Sequence, residues 1–410
     1  MKKHMKSYFQ SLQGGLFEAV NKADVGDNAD KMKENGVVML SWADPFFPDD
    51  KLDEAVRATL TASIADGSAQ HYTAPIGNGE LKEVIAEKLS EDNQLHVDPK
   101  RNIIITPGSD AALFYSLVPF IRKGDEVMIV DPSYPNNYQA VEILEGVPVS
   151  VPVRVENGFE LEIEEFEQRR TDKTKMILLT NPNNPTTVVY SRKSLEKLAK
   201  FAKENDLIVV VDQAFEDIIF DEREMVTMAA LEGMFERTIT IFSISKGFGL
   251  SGLRVGYIVA PDVLIDAMFA SAVSVIGATN TASQLAAITA LKKRRELFRE
   301  YTDSFDRRRK MVYRALCDIP GVEIQMPQSA FLSWINISAL GSSDEIVKYL
   351  VEEAKVFVNA GNCYGSLGEG YIRLVQGCYR DDAKIEDAIL RIRSALQKKS
   401  REKGLEKEVE

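Results

Sequence analysis

From about residue 100 the chain alternates short apolar, β-branched runs with stretches whose apolar residues recur at helical spacing. That alternation restricts it to an α/β fold, a mostly parallel sheet covered by helices. The strand candidates are residues 102–106, 126–130, 147–153, 175–180, 207–212, 238–243 and 255–260. Residues 111–121 and 192–205 read as helices, and in the second Leu195, Leu198 and Ala202 share one face. A largely helical segment runs from Pro261 to about Leu316; its charged part, residues 292–309, reads as a solvated face. A smaller α/β unit begins near Val312, with strands near residues 331–337 and 371–376. The expected division is a large domain over residues 46–311 and a small one from residues 1–45 and 312–410. Residues 398–410 read as a frayed helix end or a disordered tail.

With 410 residues the chain is long enough for two domains. Its 50 basic and 62 acidic residues give a net charge of -12, which disfavours nucleic acid or an anionic membrane as the main partner. No apolar run approaches the ~20 residues a membrane span needs. Residues 7–20 are too polar for the core of a secretory leader, so the expected location is the cytoplasm. Cys317, Cys363 and Cys378 lack metal-ligand spacing and are odd in number, which predicts reduced, mostly buried thiols. The only histidines are His4, His71 and His96, and no metal site is expected.

The strand candidate at 238–243 leads into Ser243-Ile-Ser-Lys246, and Arg254 follows eight residues later in Leu-Ser-Gly-Leu-Arg-Val-Gly-Tyr257. A lysine that forms an imine must be held at a strand end, facing a closed site. The hydroxyl and the guanidinium suit a neighbouring phosphate, which arginine binds in bidentate fashion. Together these are the chemistry of a pyridoxal-phosphate Schiff base. Gly247-Phe-Gly249-Leu-Ser-Gly252 also spells a dinucleotide-binding fingerprint. That motif needs a helix at its glycines and an acidic residue about 20 positions on, whereas here another strand follows.

Three further stretches fit the same chemistry. Pro107-Gly-Ser-Asp110 follows a strand and opens a helix, so the backbone N–H groups of Gly108, Ser109 and Asp110 point at an anion. Val209-Val-Val-Asp212 ends a buried strand in a carboxylate that needs a partner. Arg373 lies within the otherwise apolar Tyr371-Ile-Arg-Leu-Val375, where its planar guanidinium matches a carboxylate.

These elements, in this order, resemble the class I/II aminotransferases, fold-type I pyridoxal-phosphate enzymes similar to aspartate aminotransferase, over residues from about 40 to 395. The resemblance implies that Lys246 forms the aldimine with pyridoxal 5'-phosphate and shuttles a proton as general base and acid. It assigns the cofactor phosphate to Gly108, Ser109, Asp110, Ser243 and Arg254, ring stacking to Tyr134 and the pyridine nitrogen to Asp212. Asn184, in Asn181-Pro-Asn-Asn-Pro-Thr-Thr187, corresponds to the asparagine that bonds the phenolic oxygen, with Thr187 where relatives have glycine. Phe215 stands where most relatives carry a second donor to that oxygen, a tyrosine, which puts ordinary transaminase tuning in question.

Tyr72, in Tyr-Thr-Ala-Pro-Ile-Gly77, matches a tyrosine that crosses to the partner's cofactor phosphate, implying a homodimer with shared active sites. Arg373 and Asn184 would hold the substrate, together with Ala43, which replaces a glycine beside the bulky Trp42. The implied reaction moves an α-amino group from an L-amino acid to a 2-oxo acid. The alternatives are a β-lyase or decarboxylase on the same scaffold, or a non-catalytic regulator. The last is disfavoured because no winged-helix pattern is read before residue 40.

Overall fold

The computed structural model describes Lys6, Phe9, residues 36–49 and residues 51–405. Most of residues 7–20 and the final five residues of the tail lie outside the described residues. A short strand, β1 (Val38–Met39), comes first. All seven expected strands then form: β2 (Ile103–Thr106), β3 (Glu126–Asp131), β4 (Val147–Pro152), β5 (Thr174–Thr180), β6 (Ile208–Asp212), β7 (Thr238–Ser243) and β8 (Gly256–Val259). They make one sheet in the order β2-β8-β7-β6-β5-β3-β4. Strands β3 to β7 pair in parallel, and β8 runs antiparallel to both β2 and β7.

The central strands read as unbroken apolar runs because both faces are covered. Ile129, Leu178, Val210 and Ile241 point into the core on one face. Met128, Ile177, Leu179, Val209 and Val211 point into the other, against Leu195, Leu198 and Ala202 of the helix Arg192–Glu204. The predicted helix at 111–121 is observed as Ser109–Leu117, starting two residues earlier and ending four earlier. Beside one another in the sheet, β5, β6 and β7 pair Thr180 with Asp212 and Asp212 with Ile241. Their carboxyl ends, where open α/β sheets hold ligands, therefore lie in a row.

Five short strands follow: β9 (Glu323–Ile324), β10 (Ser333–Asn336), β11 (Val356–Phe357), β12 (Asn359–Ala360) and β13 (Tyr371–Leu374). Four form an antiparallel sheet in the order β12-β13-β10-β9, and β11 pairs in parallel with β1. Leu40 and Phe46 pack into the core of this second sheet, beside Phe331, Ile335 and Leu374.

Three expectations need correction. The helices Asp262–Ile276, Thr281–Lys292 and Arg294–Leu316 fill the segment after Pro261, but its charged run is not simply a solvated face. Arg294, Arg308 and Arg309 are buried. Arg308 donates to the carbonyls of Gln376, Cys378, Tyr379 and Arg380 at 2.8–3.1 Å and to Asp382 at 2.7 Å. Arg309 bonds Asp221 at 2.6 and 2.9 Å and the Pro327 carbonyl at 2.8 Å. Secondly, residues 398–402 are not frayed, because the helix Asp382–Glu402 continues through them and the buried Ser400 hydroxyl donates to Pro320 O at 2.7 Å. Thirdly, no disulfide joins the three thiols, but only Cys378 is buried; Cys363 is half-buried, and Cys317 is exposed just past the end of the helix Arg294–Leu316.

Arg308→Ala would strand four carbonyls and lose a charge-assisted bond, so it should cost about 3–5 kcal/mol of stability. The neighbouring exposed Arg307→Ala should stay within about 0.5 kcal/mol. Urea unfolding of both variants checks the contrast.

Candidate active site

Strand β7 ends at Ser243, and three residues later Lys246 reaches into a cavity of about 230 Å³. Its Nζ donates to the Ala43 carbonyl and lies 5.9 Å from the centre of the Phe215 ring. Asp212 enters from the end of β6; its Oδ1 accepts the Ala214 N–H at 3.0 Å. Burial drives its pKa up to about 6, Asp110 adds to the rise, and the Ala214 N–H and Lys246 oppose it. That carboxylate wants a buried cation.

The turn before the helix Ser109–Leu117 builds an anion cup. Gly108 takes φ +87°, and a Cβ there would lie 2.2 Å from Arg254 Nη2, so only glycine lets the guanidinium lie against this turn. Arg254 is itself left-handed, at φ +53°, and its Nη1 donates to Ser251 O at 2.8 Å. The Asp110 carboxylate accepts from the Tyr134 hydroxyl at 3.2 Å and from Asn136 Nδ2 at 2.5 Å, which fixes the tyrosine at the cavity wall.

On the opposite side, Arg373 is 1% exposed. It donates to Asn359 Oδ1 at 2.7 and 3.1 Å, to Ser41 O at 2.8 Å and to Asn184 Oδ1 at 3.2 Å. Tyr364 lies beneath its guanidinium at 4.8 Å. Because a guanidinium only donates, Asn184 must turn its oxygen to Arg373 and keep its NH₂ for another acceptor.

Of the predicted residues, Ala43, Ser109, Asp110, Tyr134, Asn184, Asp212, Lys246, Arg254 and Arg373 line this one cavity. Gly108 stands behind Arg254. Ser243 is not in the lining; its hydroxyl accepts the Ser245 N–H at 3.1 Å, and Ser245 reaches the wall instead. Tyr72 is 93% exposed and outside the cavity. Trp42 and Phe215 do line it, so the departure at position 215 faces the site. Sequence reasoning missed Asp44, Thr180, Ala214, Ser245 and Ser251, although each adjoins or shares a motif already singled out. Thr187 has φ +66°, the backbone that glycine would supply without strain.

The donor set suits a phosphorylated, carbonyl-bearing aromatic ring with a basic nitrogen: an anion cup, an amine, a stacking aromatic and a buried carboxylate. Among the described residues no group of His, Cys, Asp and Glu could hold a metal ion.

Residues 37–392 match the family model described as Aminotransferase class I and II. The chain belongs to that family. It is 36% identical to an aspartate aminotransferase of Pyrococcus abyssi over 91% of this chain and 94% of the relative. It is 34% identical to aromatic-amino-acid aminotransferase 2 of Thermococcus litoralis over 89% and 92%. The crystal structure of an aromatic aminotransferase from Pyrococcus horikoshii superposes with a TM-score of 0.84 at 33% identity, covering 90% of this chain and 99% of that one. The protein is therefore an aminotransferase of fold type I, and the lyase or decarboxylase alternative is not favoured. Aminotransferases of these classes generally depend on pyridoxal phosphate.

Asp212 makes a pH prediction for protein dialysed free of ligand. A carboxyl with a raised folded-state pKa supports stability below its unfolded value of 3.8, and that support is lost as pH rises through about 6. Asp212→Asn should thus be more stable than wild type at pH 7, by on the order of 3 kcal/mol, with the gap closing below pH 4. Thermal melts across that range check it.

Proposed function

We propose that this aminotransferase uses pyridoxal 5'-phosphate to move an α-amino group from an L-amino acid to a 2-oxo acid, as a cytoplasmic homodimer. One observation carries the reading: Lys246, Asp212, Arg254 and Arg373 come from separate parts of the chain and line one cavity. When bound, the cofactor supplies a carbonyl for the amino group and a conjugated ring that accepts electrons.

Each protein group then has one task. The backbone N–H groups of Ser109 and Asp110 and the Arg254 guanidinium hold the phosphate. Tyr134 fixes the tilt of the ring by stacking. Asp212 pairs with the protonated ring nitrogen, which offsets the burial that otherwise raises its pKa. The Asn184 NH₂ donates to the phenolic oxygen, and Phe215 adds no second donor. Arg373 grips the substrate α-carboxylate, and Lys246 takes the proton from Cα as general base and later returns it as acid. Trp42 and Phe215 give the substrate side of the cavity an apolar wall.

Tyr72, being 93% exposed, is free to reach the phosphate of a second copy, which is why we favour a homodimer; sedimentation of the purified protein checks the mass. A large unit over residues 46–311 and a small one from 1–45 and 312–410 remains our proposed division, supported by Leu40 packing with the second sheet. Among the described residues no helix is long and apolar enough to cross a membrane.

The purified protein should be yellow, or become so with added pyridoxal phosphate, and Lys246→Ala should lose the wild-type band. A wild type that stays colourless would sink the cofactor reading. Arg373→Ala should keep the colour but lose on the order of 10²-fold in kcat/KM through a higher KM. An unchanged value would mean the carboxylate is held elsewhere.

A further inference from the structure

Asp131 is fully buried at the carboxyl end of β3, three residues before Tyr134. Its carboxylate joins Ser150 of the adjacent strand β4 to a turn more than 230 residues later in the chain. Oδ2 accepts Ser366 N–H at 3.1 Å and the Ser366 hydroxyl at 2.6 Å, as well as the Ser150 hydroxyl. Oδ1 accepts Leu367 N–H at 3.3 Å. Gly365 fits against the same carboxylate: at φ +120°, a Cβ there would lie 2.2 Å from Asp131 Oδ1. A second tie runs beside the first, Ser133 N–H donating to Tyr364 O at 2.7 Å. Tyr364 is the ring beneath the Arg373 guanidinium, and the clasped turn leads directly into β13, which carries Arg373.

We propose that Asp131 is a positioning residue for Arg373, a latch that sets the carboxylate-binding arginine against the wall formed by Tyr134. The proposal rests on the reading of Arg373 as the α-carboxylate holder. Its chemistry is specific to a carboxylate, which accepts on both oxygens. Hydroxyl donors can rotate to suit an amide, but the Ser366 and Leu367 N–H groups cannot. An asparagine must therefore turn its NH₂ toward one of those N–H donors, loosening the turn and tilting Tyr364. Asp131 touches none of the reacting groups, so the effect should fall on substrate binding and not on the chemistry.

The test is steady-state kinetics of the cofactor-loaded protein with L-aspartate or L-phenylalanine, whichever turns over faster, and 2-oxoglutarate. Asp131→Asn should raise KM about tenfold, with kcat and the cofactor band little changed. In an Arg373→Ala background it should add nothing, because the residue it positions is gone. Ser366→Ala, a smaller change, should raise KM in the same direction and also lose its effect in that background. An unaltered KM in Asp131→Asn, or a full effect persisting without Arg373, would overturn the latch. An unchanged KM in Arg373→Ala alone would overturn the carboxylate-holder reading, and the latch with it.

Discussion

Taking ionised groups out of water is costly, and the architecture is organised around balancing that cost at the carboxyl edge of one parallel sheet. Asp212 and Arg373 are both buried there, with Lys246 and Arg254 lining the same space. Each is steadied by neutral dipoles: Asp212 by the Ala214 N–H, Arg373 by Asn359, Asn184 and Ser41, Arg254 by the Ser251 carbonyl. Neutral partners hold a charge in place without cancelling it. The site can then meet a ligand with an anionic end, a basic ring nitrogen and a carboxylate-bearing substrate without rearranging.

Buried charges away from the site, some held by carbonyls and some by carboxylates, tie distant chain segments together. Arg308 gathers the carbonyls of residues 376–380, immediately after β13, onto the helix Arg294–Leu316. Arg309 joins that helix to Asp221 and Pro327. Asp131 does the complementary job with a carboxylate, clasping the turn before β13. The strand bearing Arg373 is thus fixed at both ends by buried ions, and so is its distance from Lys246.

Sequence made the central sheet legible because its strands are covered on both faces and show as unbroken β-branched runs. Most of the cavity was legible for a related reason. Many of the lining residues sit at or just past strand ends, so a motif next to a strand already carries its position. What stayed hidden depends on long-range pairing. Arg308 and Arg309 look like members of any charged helix face, since their partners lie in other elements. Asp131 gives no local sign of the turn 235 residues away. Ser243 and Ser245 are two residues apart, which in a continuing strand would put both on one face, but β7 ends at Ser243 and only Ser245 reaches the wall. Tyr72 is exposed and outside the cavity, and the task proposed for it lies on another copy.

The proposed role of Lys246, as the amine that meets the cofactor's carbonyl, organises the other charged groups around it. Borohydride reduction of the cofactor-loaded protein, followed by proteolysis and mass spectrometry, tests it most directly. The pyridoxyl mass is expected on the peptide containing Lys246 and nowhere else. Its appearance on another lysine, or its absence from every peptide of a protein that still binds the cofactor, would contradict the account.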